Sequence, residues 1–110
     1  MSELLNKETV KRVEKSLRDF DENLKVIALD QTARTAKEAA SSLKCELGAI
    51  VKSLVFKAEG KFLVCLVSGD KRCSLNKLKK ILKKKDVAMA NANEVKDHTG
   101  FSIGGVSPIG

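Results

Sequence analysis

Apolar residues recur along this chain with two periods, and the changes from one to the other mark its elements. Val10, Val13, Leu17 and Phe20 fall three and four apart with charge between them. That spacing predicts an amphipathic helix over 7–20, with Asn6 as its cap. The polar run Asp21-Glu22-Asn23 ends it. Residues 25–30, Lys-Val-Ile-Ala-Leu-Asp, read as a short strand. Thr35 and Glu38 have capping-box spacing and open a second helix that runs to Leu43. After Gly48, residues 49–57 read as a strand, Ala58-Glu59-Gly60 as a hairpin turn, and 61–67 as the returning strand. Both strands are apolar on both faces at their centres, the pattern of strands inside a sheet.

Ser68-Gly69-Asp70 marks a loop, and Ser74 is placed to cap a third helix with Leu75, Leu78, Ile81 and Leu82 on one face. A short strand over 87–90 and a short helix over 93–97 follow, with Gly100 suited to a helix end. Neighbouring strands joined in a hairpin, with helices around them and no internal repeat, predict an α+β fold in one domain spanning 1–110.

Composition narrows this picture. The chain has 110 residues, 43% of them hydrophobic, with four Phe and neither Tyr nor Trp. The core must therefore be built from Leu, Val, Ile and Ala. No run of 18 apolar residues exists, and the N-terminus lacks a signal-peptide pattern, so a cytoplasmic protein is expected. Cys45, Cys65 and Cys73 have no C-x-x-C spacing and are expected to be reduced structural thiols, without a disulfide framework or a metal site.

The net charge of +7 is concentrated in one segment. Lys71, Arg72, Lys77, Lys79, Lys80, Lys83, Lys84 and Lys85 contain no acid among them, whereas the rest of the chain holds 13 basic and 14 acidic residues. Such a patch suits a polyphosphate partner, because each Lys or Arg that meets a phosphate releases a counterion. The same pattern also describes a solvated helix face.

Two features stand out as candidate chemistry. Lys52 shares a strand face with Ile50, Leu54 and Phe56, where an ammonium is costly to bury unless paired or functional. The plain alternative is snorkelling, with the stem on apolar surface and the head in water. The second feature is the C-terminal loop, with Gly100, Gly104, Gly105 and Gly110. It can present backbone N–H groups to an anion or carbonyl oxygen, or serve as an ordinary turn held by Pro108. The lone His98 lies in a polar stretch, and no metalloprotease, nucleophile-elbow or clustered-carboxylate motif appears.

Three blocks together carry a resemblance. They are Thr35-Ala36-x-x-Ala39-Ala40, Ile50-Val51-Lys52-Ser53-Leu54-Val55-Phe56, and Thr99-Gly100-Phe101-x-x-Gly104-Gly105-Val106-Ser107-Pro108-x-Gly110. In their order and spacing they resemble the prolyl-tRNA synthetase editing-domain family, also called YbaK-like. The resemblance implies a mixed, barrel-like β-sheet flanked by helices, and metal-independent, cofactor-free hydrolysis of the ester that joins a wrong amino acid to tRNA. It implies that Lys52 holds the tRNA 3′ end and the reacting ester. It also implies that Gly104, Gly105 and Pro108 form the catalytic loop, and that Thr35, Ser53, Val106 and Ser107 line the substrate pocket.

In that frame Lys71, Arg72, Lys77, Lys79, Lys80, Lys83 and Lys84 would bind the acceptor stem. The substrate would be tRNA-Pro carrying Ala, Cys or Ser, with prolyl-tRNA synthetase or translation factors as further partners. The resemblance also implies strands and a helix beyond the loop, so that these residues would correspond to the earlier part of such a domain. Two alternatives stay open: a non-catalytic RNA-binding module, and an incomplete domain that needs a partner.

Overall fold

The computed structural model describes residues 5–29 and 35–110. Among them the chain runs α1 (Glu8–Phe20), α2 (Ala36–Leu43), a 3₁₀ turn (Leu47–Ala49), β1 (Val51–Ala58), β2 (Lys61–Ser68), α3 (Leu75–Leu82), β3 (Val87–Met89) and α4 (Ala92–Thr99). The α+β class expected from the pattern holds.

α1 begins one residue later than its predicted cap allows. Lys7 occupies the N-cap position and makes no side-chain cap bond. Asn6 is thus too early to reach the free N–H groups of the first turn, where the acidic Glu8 suits the helix dipole instead. Val10, Val13 and Leu17 are half-buried, whereas Phe20 is 82% exposed and does not join the apolar face. The helix stops at Asp21, whose side chain accepts from the Asn23 N–H at 2.9 Å.

Residues 24–29 hold no regular element, contrary to the strand expected there; Asp30 lies outside the described residues. A strand exists only with a partner for its backbone groups, and no described strand pairs with this segment. Val26 instead turns into an apolar hollow beside Val10, Val13 and Phe101.

Thr35 caps α2 by accepting from the Glu38 N–H at 3.1 Å. The reciprocal capping box forms at α4, between Asn91 and Glu94, which starts that helix one residue before its predicted range and lets it run to Thr99. Ser74 caps α3 as expected.

β1 and β2 form a full hairpin, from Val51 opposite Ser68 to Ala58 opposite Lys61. Glu59 and Gly60 join them, both with positive φ, the geometry of a two-residue type I′ turn. β3 pairs antiparallel with the other edge of β1, opposite residues 56–58. The sheet order is β2-β1-β3, so every pairing among the described residues is antiparallel and β1 is central.

Each sheet face has its own core. Phe56 and Ala58 pack with Leu78 of α3 and Val87, with Leu54, Leu63, Cys65 and Cys73 around them. Val55 packs on the opposite face with Ala90, Val95 of α4, Phe62 and Val106. Burying a side chain of this size stabilises by about 1.5–3 kcal/mol relative to exposure. The expectation that both strands lie wholly inside the sheet fails for β2. That strand is an edge, and α4 covers only one end of its second face. Leu66 is 57% exposed there and Val64 44%, and Val51, at the start of β1 on the same sheet face, is also 57% exposed. No helix among the described residues is long and apolar enough to cross a membrane.

Candidate functional site

The site arises where the pairing of β1 is incomplete. β2 accompanies the whole of β1, but β3 meets it only from Phe56 onward. Among the described residues, 51–54 therefore have an open edge. Ile50 C=O accepts from Gly69 N–H at 2.6 Å on the β2 side, and Val55 C=O accepts from Ala90 N–H at 3.0 Å on the β3 side. By antiparallel alternation, Val51 and Ser53 direct their backbone N–H and C=O groups to the open edge.

A groove lies along that edge. Thr35, Ala36 and Ala39 form one wall, Ile50 to Leu54 the floor, and Gly104 and Val106 the far side. Ala36 and Ala39 are three apart on one helix face, and their small side chains keep the wall back from the strand.

Lys52 is half-buried, opposite Val67 on the sheet face that packs α3. Its ammonium stays at the exposed rim and donates to the Lys71 carbonyl at 3.1 Å. Among the described residues this is its one hydrogen-bond partner, which leaves two of its three N–H donors for a ligand. The lysine thus snorkels and is also positioned: its stem covers apolar surface while its charge is tethered at the groove.

That tether depends on a tight corner. A Cβ placed on Gly69 would stand 2.5 Å from the Leu47 carbonyl oxygen and 3.3 Å from the Ala36 Cβ. Only glycine allows the 69–71 segment to approach the 3₁₀ turn so closely. The Ser68 hydroxyl lies 2.7 Å from both the Gly48 carbonyl and an Asp70 carboxylate oxygen, fixing the same corner.

The C-terminal loop divides between two hollows. Gly104, with φ of 82°, faces the Lys52 groove. Gly105 and Ser107 face the apolar hollow beside α1, and Val106 borders both. The Gly105 N–H is committed to the Ser102 carbonyl at 2.9 Å. Ser107 is engaged with Ile109 through two short-range bonds, and Pro108 is exposed outside both linings. Arg12 of α1 braces the start of this loop. It donates to the Thr99 carbonyl at 2.8 Å and lies 4.4 Å from the centre of the Phe101 ring.

The basic segment occupies a separate surface. Lys71 and Arg72 are exposed next to the Lys52 tether, and Lys77 lies in the first turn of α3. Lys79, Lys80, Lys83, Lys84 and Lys85 share one concavity. Lys84 is paired with Glu59 at 2.8 Å, so part of its charge is already balanced.

Of the residues singled out by sequence, the groove gathers Thr35, Lys52, Ser53, Gly104 and Val106. It leaves out Gly105, Ser107, Pro108 and the basic segment. Ala36 and Ala39, quoted in the sequence only as part of a family block, and the Lys71 carbonyl belong to the groove and its tether without having been expected there. The i, i+3 alanines could have been read as a small-residue wall; the carbonyl leaves no sequence signal.

These features define an α+β domain whose groove, with Thr35, Lys52 and Ser53 as its polar side chains, lies at the open edge of a central strand, beside a glycine loop. The chain belongs to the aminoacyl-tRNA editing domain family, whose profile matches residues 30–110. It is 39% identical over 77 residues to the proline--tRNA ligase of Caldicellulosiruptor bescii, covering 70% of this chain and 14% of that protein. The proline--tRNA ligase of Thermosipho melanesiensis is 33% identical over 92 residues, covering 84% and 16%. A crystal structure proposed to be a trans-editing enzyme for prolyl tRNA synthetase superposes with a TM-score of 0.88 at 41% identity, covering 94% of this chain and 66% of that one. The chain thus spans about one seventh of the ligases it matches and just under two thirds of the superposed structure.

Proposed function

We propose that this domain acts in trans as an aminoacyl-tRNA deacylase, hydrolysing the ester of mischarged tRNA. The observation that carries the reading is the tethered ammonium of Lys52 at a groove walled by Thr35, Ser53, Gly104 and Val106. Its family membership, and the superposed structure proposed to edit in trans, supply the reaction class.

Ester hydrolysis needs a positioned nucleophile and donors aimed at the oxygen that gains charge. In this reading Lys52 remains charged and binds a 3′-terminal phosphate or the ester oxygen, with its free N–H donors. In this reading the backbone N–H groups of Ser53, Gly104 and Val106, which border the groove, meet the carbonyl oxygen. The nucleophile is a water or the terminal ribose hydroxyl, so no Ser–His pair is required. The small groove walls suit Ala, Cys or Ser on tRNA-Pro. Lys71 and Arg72 adjoin the Lys52 tether, and in this reading they and the separate basic concavity of α3 bind the acceptor stem.

One observation favours the second reading, an RNA-binding module without turnover. The Gly105 N–H is spent inside the loop, and Ser107 and Pro108 stand away from the groove.

The test is to incubate the folded protein with tRNA-Pro charged with alanine, cysteine or serine and follow ester loss. Wild type should release at least one of them, and Lys52→Ala should lose turnover by about 10²-fold or more, the scale of losing one transition-state donor, without losing its melting transition. Binding without release from any of the three would leave the module reading standing and remove the deacylase.

A further inference from the structure

Two of the three cysteines have no part in the groove but lie against its support. Cys65 is on β2 opposite Leu54, and Cys73 ends the loop that leads into α3. Their sulfurs are 3.8 Å apart, both half-buried beside the Phe56–Leu78 core, and both are free thiols. Cys45 is exposed.

We propose that Cys65 and Cys73 are an oxidisable pair, a modification site at which a small-molecule disulfide such as oxidised glutathione closes an intramolecular disulfide that restrains the Gly69–Cys73 segment. A thiolate of the pair attacks the glutathione disulfide, forming a mixed disulfide and releasing one glutathione thiolate. The second protein thiolate then attacks the protein sulfur of that mixed disulfide and expels the other. One S–S bond breaks and one forms. The protein loses two hydrogens, and two molecules of reduced glutathione carry them away.

Closing the bond takes the sulfurs from 3.8 Å to about 2.05 Å. Cys65 is fixed in the hairpin ladder, so the adjustment falls on Cys73 and the irregular residues before it. Those residues include Lys71, whose carbonyl holds the Lys52 ammonium. Oxidation therefore acts on the lysine's tether without touching the lysine. Burial pushes the Cys73 thiol up from its ordinary value, and the neighbouring Cys65 pushes it further. The thiolate is accordingly scarce at neutral pH, and closure should quicken as pH rises toward 9.

The experiment treats the full chain with oxidised glutathione at pH 8.5 and maps the disulfides by mass spectrometry after proteolysis. The expected result is a Cys65–Cys73 link with Cys45 outside it, reversal by dithiothreitol, and no intramolecular link in Cys65→Ser or Cys73→Ser. Amide hydrogen exchange of the 69–73 segment should slow at least threefold in the linked protein. Two results overturn the proposal: glutathione carried on Cys45 with Cys65 and Cys73 still free in folded protein, or a link that leaves exchange in 69–73 unchanged. Neither readout depends on deacylation, so the proposal stands or falls apart from that reading.

Discussion

Replacing Gly69 by alanine isolates one contact on which the groove depends. The added methyl would meet the Leu47 carbonyl oxygen at 2.5 Å and the Ile50 carbonyl oxygen at 3.2 Å, whereas ordinary contact begins near 3.4 Å. The backbone must open by about 0.9 Å at Leu47, and it has little freedom to do so. The Leu47 carbonyl already accepts from the Ile50 N–H, and Gly69 itself donates to Ile50 at 2.6 Å. Overpacking of this kind costs about 1–3 kcal/mol. Removing glycine also lowers the entropy of the unfolded chain, which returns about 0.4–1 kcal/mol. The net expectation is a loss of about 1–2 kcal/mol, or roughly 5–10 °C in melting temperature for a domain of this size.

Gly105→Ala supplies the comparison. A Cβ there meets nothing closer than 3.6 Å, and its φ is not in the left-handed region. That variant should melt within a few degrees of wild type. Thermal and urea unfolding of the three proteins decide the matter. If Gly69→Ala melts at or above wild type, or the two variants fall equally, the close approach of 69 to 47 is not what holds this corner.

Other expectations concern charge. The Glu94 carboxylate is held below its ordinary value by the Asn91 backbone N–H and then by Lys57, 3.1 Å away. A depressed carboxylate stabilises the fold above its unfolded pKa, near 4.5, and that contribution is lost as pH falls through the folded value. The stability difference between wild type and Glu94→Gln should therefore be constant near neutrality and shrink below about pH 4.5; a difference unchanged down to pH 3 would count against it. Asn91→Ala should destabilise by about 1 kcal/mol through loss of the cap, read from urea midpoints. Converting Lys79, Lys80 and Lys83 to glutamine should flatten the salt dependence of tRNA binding, by up to about 0.9 in slope for each phosphate that no longer meets an ammonium, and an unchanged slope would remove α3 from the interface.

The elements with strong local signals were legible in sequence. The 49–67 hairpin, the amphipathic face of α3 and the caps at Thr35 and Ser74 all follow from periodicity and short polar spacings. What failed depended on partners distant in sequence. Residues 25–29 have strand composition but pair with no described strand, and Leu66 has core composition but sits on an edge strand. The candidate site divided in the same way. Lys52 was conspicuous because a charge interrupts an apolar run, and Gly104 because glycine permits its left-handed backbone. The Lys71 carbonyl was invisible, since every residue has one. The loop's division, with Gly104 facing the groove and Gly105 facing α1, depends on the Ser102–Gly105 turn and on where α1 lies.

The length of β3 connects these local signals to the groove. Val87-Ala88-Met89 is the whole strand, because Asn91 must leave the sheet to cap α4 and Glu94 closes the box onto its backbone. A helix that begins at Ala92 cannot have a strand running through it, so pairing along β1 ends at Val55 and Ala90. A later start for α4 would let β3 extend beside Ser53 and Val51 and would consume the backbone groups that now face the groove. The lysine supplies the charge, but an asparagine and a glutamate about forty residues away decide that the strand carrying it keeps an open edge.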